Sequence, residues 1–182
     1  LIAKYKDKCE IVAFVENKKG RRDLFLEKYP VDKDMVFDNL NDFIAHDKLA
    51  DAVIISHYDL LHYDTAQVLL VKGYDVLVET PVANSLDGLV HLKEYSLKNK
   101  DRLFMVAYNN RYSSFYTKLK EIVDDKKLGD LINISYNVDI GYQNFVHNYV
   151  RGNWRITSDT STIMLTNSCQ DIDMMINLSK GK

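Results

Sequence analysis

Apolar residues come along this chain in two rhythms. In residues 10–16 (EIVAFVE) and 51–56 (DAVIIS) they run almost without interruption over a strand's length, the pattern of a strand covered on both faces and so of a parallel sheet. Residues 75–79 and 103–107 repeat it. Between these runs the apolar positions follow a helical period. A short helix is predicted over 40–45 with Asp38 placed to cap it, and the residues ahead of the first run read as a helix end feeding a strand. A second helix over 64–72 is capped by Asp64 or Thr65 and closed by Gly73. A third over 85–98 carries Leu86, Leu89, Val90 and Leu97 on its inner stripe. Strand and helix alternating at βαβ spacing predict a doubly wound α/β sheet rather than a sandwich or a bundle.

The rhythm changes beyond residue 107. A helix over 114–125 turns Phe115, Leu119, Ile122 and Val123 inward and is followed by Gly129. In residues 132–138 (INISYNV) apolar and polar positions alternate, as in a strand with one wet face. The predicted fold class is α/β: an incomplete Rossmann-type parallel sheet over 1–108, then the start of an α+β domain over 109–182. The domain change lies between Ala107 and Tyr112.

Composition narrows the function classes. The chain has 182 residues, a formal net charge of −2, 46% hydrophobic and 27% charged residues, and no apolar run long enough to span a bilayer. Basic residues are scattered among acids, which argues against nucleic acid and anionic membrane as partners and makes a cytoplasmic protein the expectation. The two cysteines, Cys9 and Cys169, lie in apolar contexts without metal-ligand spacing and read as buried thiols.

Candidate chemistry sits where the strands end, because ligands of open α/β sheets bind outside the carboxyl ends. Glu16 with Asn17 closes the first run; an acid there hydrogen-bonds a ribose diol, or is simply solvated. Ser56, His57, Tyr58 and His62 form the loop after the second run. Its two histidines have no third ligand at metal spacing, so no metal site is predicted, and His62 also suits capping or packing at a helix start. Glu79 ends the third run and Thr80-Pro81 follows, a bond that either isomer accommodates. In the last helix Asn167, Gln170 and Asp171 share one face, directed at the cleft.

In order, the segments DAVIISHYDLLH (51–62), VLVETPVANS (76–85), MVAYNNRYSSFYTKLKEI (105–122) and GYQNFVHNYVRGNWR (141–155) resemble the Gfo/Idh/MocA family, whose members oxidise or reduce sugars and polyols with a nicotinamide cofactor. The resemblance implies that Glu16 holds the adenosine ribose, that Ser56, His57, Tyr58 and His62 line the nicotinamide pocket, and that Glu79 and Pro81 sit against the nicotinamide ribose. It places Asn109, Arg111 and Tyr112 at the closure of the cofactor domain, and His147, Arg151, Trp154, Arg155 and Asp171 on the substrate side. Two catalytic positions depart from the family: Thr80 stands where a lysine is usual and Gln170 where a histidine is common, with Asn167 beside it. Neither a hydroxyl nor an amide carries the charge or the proton that those positions handle.

No G-x-G-x-x-G occurs, so the resemblance implies a first strand, that loop and most of a helix ahead of Leu1 and the rest of a second sheet after Lys182. Without the loop the pyrophosphate lacks its helix N-terminus, which weakens binding of NAD or NADP. Glu16 repels a 2′-phosphate and favours NAD, an argument that Lys18, Lys19, Arg21 and Arg22 blunt. The implied function is an NAD(P)-dependent oxidoreductase acting on a sugar-like small molecule, homo-oligomeric at full length; the alternative is a non-catalytic relative that binds sugar or protein.

Overall fold

The computed structural model describes residues 5, 7–156 and 160–180, so the helix end expected at the start of the chain lies largely outside the described residues. β1 (Phe14–Val15) pairs in parallel with β2 (Val36–Phe37), Phe14 opposite Val36. Between them α1 (Lys19–Lys28) packs through Phe25, whose ring stacks on Phe14 with centroids 3.7 Å apart. After α2 (Leu40–Ala45), the strands β3 (Ala52–Ile55), β4 (Asp75–Val78) and β5 (Phe104–Val106) form a second parallel sheet in that order. α3 (His62–Val71) and α4 (Leu86–Lys98) make its crossovers.

In the doubly wound strand order 3-2-1-4-5-6, β2 and β1 answer to positions 3 and 2, and β3, β4 and β5 to positions 4, 5 and 6. Among the described residues no strand lies between β1 and β3. This accounts for the main departure from the sequence reading. The run over 10–16 yields only two paired residues, and Val12, Val15 and Ile54, expected under cover on both sides, are exposed.

The core lies between the β3–β4–β5 sheet and α3. Ile55, Val76 and Val78 from the strands meet Ala66, Leu69 and Leu70 from α3, with Tyr74, Phe37, Phe43, Val82 and Leu92 completing the cluster. Burial at this density stabilises by about 1.5–3 kcal/mol per large side chain. Tyr74 is fully buried, and its hydroxyl still accepts the Leu49 N–H at 3.0 Å, so the ring brings no unpaired polar group inside. Gly73, at φ 85°, closes α3 in the left-handed region, as its place in the sequence required.

Several local expectations are corrected. Asn39, not Asp38, caps α2, because Asp38 is engaged by Arg22 at 2.6 Å. α3 starts at His62, ahead of Asp64 and Thr65, with no side-chain cap. In α4 the stripe Leu86, Leu89, Val90 and Leu97 is exposed, and the buried positions are Gly88 and Leu92, since the packed face is set by Tyr63 and Ala83 lying against Gly88. Cys9 is exposed and Cys169 half-buried, so neither is a buried thiol.

In the second half α5 (Ser114–Asp124) keeps Leu119, Ile122 and Val123 half-buried but leaves Phe115 exposed. Residues 131–140 form no strand: no neighbouring segment among the described residues completes a ladder, and Ile132 is 91% exposed. α6 (Tyr142–Phe145) runs into a π-type turn (Val146–Val150) and a 3-10 turn (Asn153–Arg155), then α7 (Ile163–Ser179) returns to the sheet. At Gly152 a Cβ would lie 1.8 Å from the His147 carbonyl oxygen, backbone that cannot swing aside. Gly152→Ala is expected to destabilise this connection by about 1–3 kcal/mol, seen as faster proteolysis within 146–156; an unchanged cleavage rate would contradict the packing.

Candidate functional site

Parallel strands deliver their last residues to the carboxyl edge of each sheet, and three of these tips carry polar groups. At the end of β1, Glu16 accepts the Lys18 N–H at 2.9 Å, and Arg21 stands 3.7 Å from its other oxygen. Arg22 is half-buried and occupied: it donates to the Glu16 carbonyl at 2.7 Å and pairs with Asp38. Asn17 is exposed beside them.

At the end of β3, Ser56 and His57 are exposed, Tyr58 is half-buried and His62 is 1% exposed. The His62 ring joins two loops, with Nδ1 2.8 Å from the Pro81 carbonyl and Nε2 3.0 Å from the His57 carbonyl. His57 Nε2 lies 3.0 Å from the Thr65 hydroxyl, and Tyr58 meets Trp154 edge-on at 6.2 Å.

At the end of β4, Glu79 and Thr80 are half-buried and Pro81 is buried after a cis peptide bond. Here the second half of the chain arrives. Gln170 on α7 donates through Nε2 to the Thr80 hydroxyl at 3.3 Å and to the Ala107 carbonyl at 3.4 Å, and its Oε1 accepts the Asn110 N–H at 3.4 Å. The two positions singled out in the sequence as unusual therefore touch, 90 residues apart. The pair is neutral at any ordinary pH and can hold a ligand hydroxyl but not take up its proton. The neighbouring Cys169 thiol donates to the Thr166 carbonyl at 3.9 Å, and burial pushes its pKa up.

Beside this contact lies a cavity of about 420 Å³, within the range of small-molecule sites. Asn109, Asn167, Gln170 and Asp171 line it with Val138 and Ile140, so the shared face of α7 does point into a cleft. Carboxamides, a carboxylate and two aliphatic chains suit a polyhydroxylated ring with polar edges and apolar faces. Asn167 donates to the Tyr149 hydroxyl at 2.7 Å, and Asp171 accepts from Tyr136 at 3.1 Å. Tyr136 in turn bonds Tyr116, which with burial and Asp171 pushes its hydroxyl far above the usual range.

Arg111 points elsewhere: it clamps the buried Asp173 of α7 in a two-pronged ion pair, Nε at 2.6 Å. Tyr112, His147, Arg151 and Arg155 are exposed, and Trp154 is half-buried against Tyr58. Sequence reasoning missed Asp59, Tyr136, Tyr149 and Asp173. Their partners are 17 to 102 residues distant, so no local spacing signals them.

Comparison with known proteins decides the family. The family model described as "Oxidoreductase family, NAD-binding Rossmann fold" matches residues 2–108, more than half of the chain. The chain belongs to the Gfo/Idh/MocA oxidoreductase family. Inositol 2-dehydrogenase of Salmonella typhimurium is 26% identical over 167 residues, covering 85% of this chain and 49% of that protein. The chain thus spans about half the length of the inositol 2-dehydrogenases of Salmonella that it matches. The fold is also that of myo-inositol 2-dehydrogenase from Lactobacillus plantarum (TM-score 0.78, 17% identity, 94% of this chain and 49% of that one). Scyllo-inositol dehydrogenase from Lactobacillus casei, solved with NAD(H) and scyllo-inositol, superposes with TM-score 0.74 at 18% identity, covering 93% of this chain and 48% of that one. Membership makes the parallel sheet of this Gfo/Idh/MocA chain an NAD-binding Rossmann fold. No helix among the described residues is long and apolar enough to cross a membrane.

Proposed function

We propose that residues 1–108 supply the cofactor domain, and residues 109–182 the start of the substrate and oligomerisation domain, of a nicotinamide-dependent oxidoreductase acting on a cyclic polyol or related sugar. The observation that carries this reading is the Gln170–Thr80 contact, which sets a polar cavity of sugar size against the turn after β4. The donor set fits the two ends of a dinucleotide. Glu16 offers a carboxylate to the adenosine ribose, and the Ser56–His62 loop with Glu79 and Pro81 frames the nicotinamide end; the pyrophosphate loop is not among these residues. When bound, the cofactor exchanges a hydride with the carbon that bears the substrate oxygen. The chain's own residues orient that oxygen: Gln170 and Thr80 by hydrogen bonds, Asn167, Asn109 and Asp171 around the ring, with His147, Arg151, Trp154 and Arg155 toward the outer rim. A homo-oligomer is the proposed assembly.

NAD is the favoured cofactor, because Arg22 is already held by Asp38 and the Glu16 carbonyl and Glu16 presents negative charge where a 2′-phosphate would sit. Glu16→Gln is expected to weaken NADH binding about tenfold and narrow the preference over NADPH, read by calorimetry. Equal affinities for both cofactors in the unaltered protein would contradict this assignment.

The activity is tested by following nicotinamide absorbance in the whole protein with a panel of inositols and sugars. Oxidation of at least one polyol supports the reading, and silence across the panel despite measurable NADH binding overturns it. A second reading, a relative that binds without turnover, is favoured by one observation: Thr80 and Gln170 satisfy each other and neither titrates.

A further inference from the structure

One carboxylate lies outside everything assigned so far. Asp59, in the loop after β3, is 3% exposed, and its Oδ2 accepts the Ser161 N–H at 2.7 Å across 102 residues of chain. Its Oδ1 and the Ser161 hydroxyl, itself on an 8% exposed residue, have no hydrogen-bond partner among the described residues. An incompletely paired charge at this depth is unfavourable for stability alone. Its location supplies the compensation. Ser161 directly precedes Thr162, the N-cap of the 17-residue α7, so the carboxylate faces the positive end of that helix dipole.

We propose that Asp59 is a positioning residue that latches the N-terminus of α7 to the β3 loop and thereby sets where Gln170 meets Thr80. The helix transmits the constraint: Gln170 is seven residues inside α7, about 10 Å along a rigid axis. The far half of α7 has anchors of its own, in buried Met174 and Leu178 and in the Arg111–Asp173 pair. The near half is held to the cofactor domain by Asp59, with Gln170 as the next contact. The loop that carries Asp59 is in turn fixed to the cis turn by His62, so β3 loop, turn and helix form one frame around Thr80.

Amide hydrogen exchange on the intact protein tests the latch and needs neither cofactor nor turnover, so its failure would leave the oxidoreductase reading standing. Asp59→Ala is expected to speed exchange roughly thirtyfold over 161–170 while 171–179 and β4 stay unchanged. Asp59→Asn keeps an acceptor oxygen but loses the charge, and should rescue most of the protection, leaving roughly a fivefold increase. The Gln170 side-chain amide resonance should shift in the alanine variant and less in the asparagine one. Unchanged exchange over 161–170, or equal loss over 171–179 and β4, overturns the proposal. Should Asp59→Ala fail to fold, the asparagine variant alone decides by the same regional contrast.

Discussion

Thr80→Lys combined with Gln170→His is expected to raise turnover of a polyol by about 10²–10⁴-fold in the whole protein supplied with nicotinamide cofactor, the usual contribution of a positioned acid or base. The reason is geometric as much as chemical. Gln170 already donates to Thr80 at 3.3 Å, so the two replacements would meet where the neutral pair meets now. An ammonium beside an imidazole provides a group that polarises the substrate oxygen and another that takes its proton. Each single replacement should give much less, because the pair acts as a unit. The check is steady-state kinetics across pH: the double variant should acquire a titration in kcat/KM near neutrality that the unaltered protein lacks. No gain with NADH binding intact would mean that the site at the end of β4 is not where the proton is handled.

His62→Ala is expected to destabilise by about 3 kcal/mol, since it removes the ring set between two carbonyls and leaves a hole at a position that is 1% exposed. Beyond stability, the loop after β3 and the turn after β4 lose their shared clamp, so NADH affinity should fall along with the unfolding free energy. Urea unfolding and calorimetry on the same samples separate the two. A loss below about 0.5 kcal/mol would show that the loops are held by something other than this ring.

These expectations show what the sequence carried. Runs such as 51–56 and 75–79 announced their strands because uninterrupted apolar residues of that length suit a parallel strand, although β3 leaves Ile54 exposed, and Gly73 announced the end of α3 because its φ of 85° suits glycine. The alternation over 132–138 misled, since alternation says which side of a strand would be wet but cannot supply the neighbour that makes it a strand. The stripe chosen for α4 failed for a related reason: Leu86, Leu89, Val90 and Leu97 are as periodic as Gly88 and Leu92, and the helix turns its small residue toward Tyr63 of α3 and Ala83, which leave little room for anything larger.

In the site, the strand tips were legible because an open α/β sheet fixes where ligands go, and the Thr80 and Gln170 departures were legible by resemblance. That they touch was not, and neither was Asp59. A hydrogen bond across 90 or 102 residues leaves no mark on either local pattern.

The central claim is that the tips of β1, β3 and β4 face one nucleotide crevice. NADH titration of the isotopically labelled whole protein, followed by backbone amide shifts, tests it most directly. The account predicts saturable shifts at Glu16 and Asn17, at Ser56 to His62 and at Glu79 to Pro81 together, with α5 silent. Shifts confined to one of the three tips, or none at saturating NADH, would contradict it.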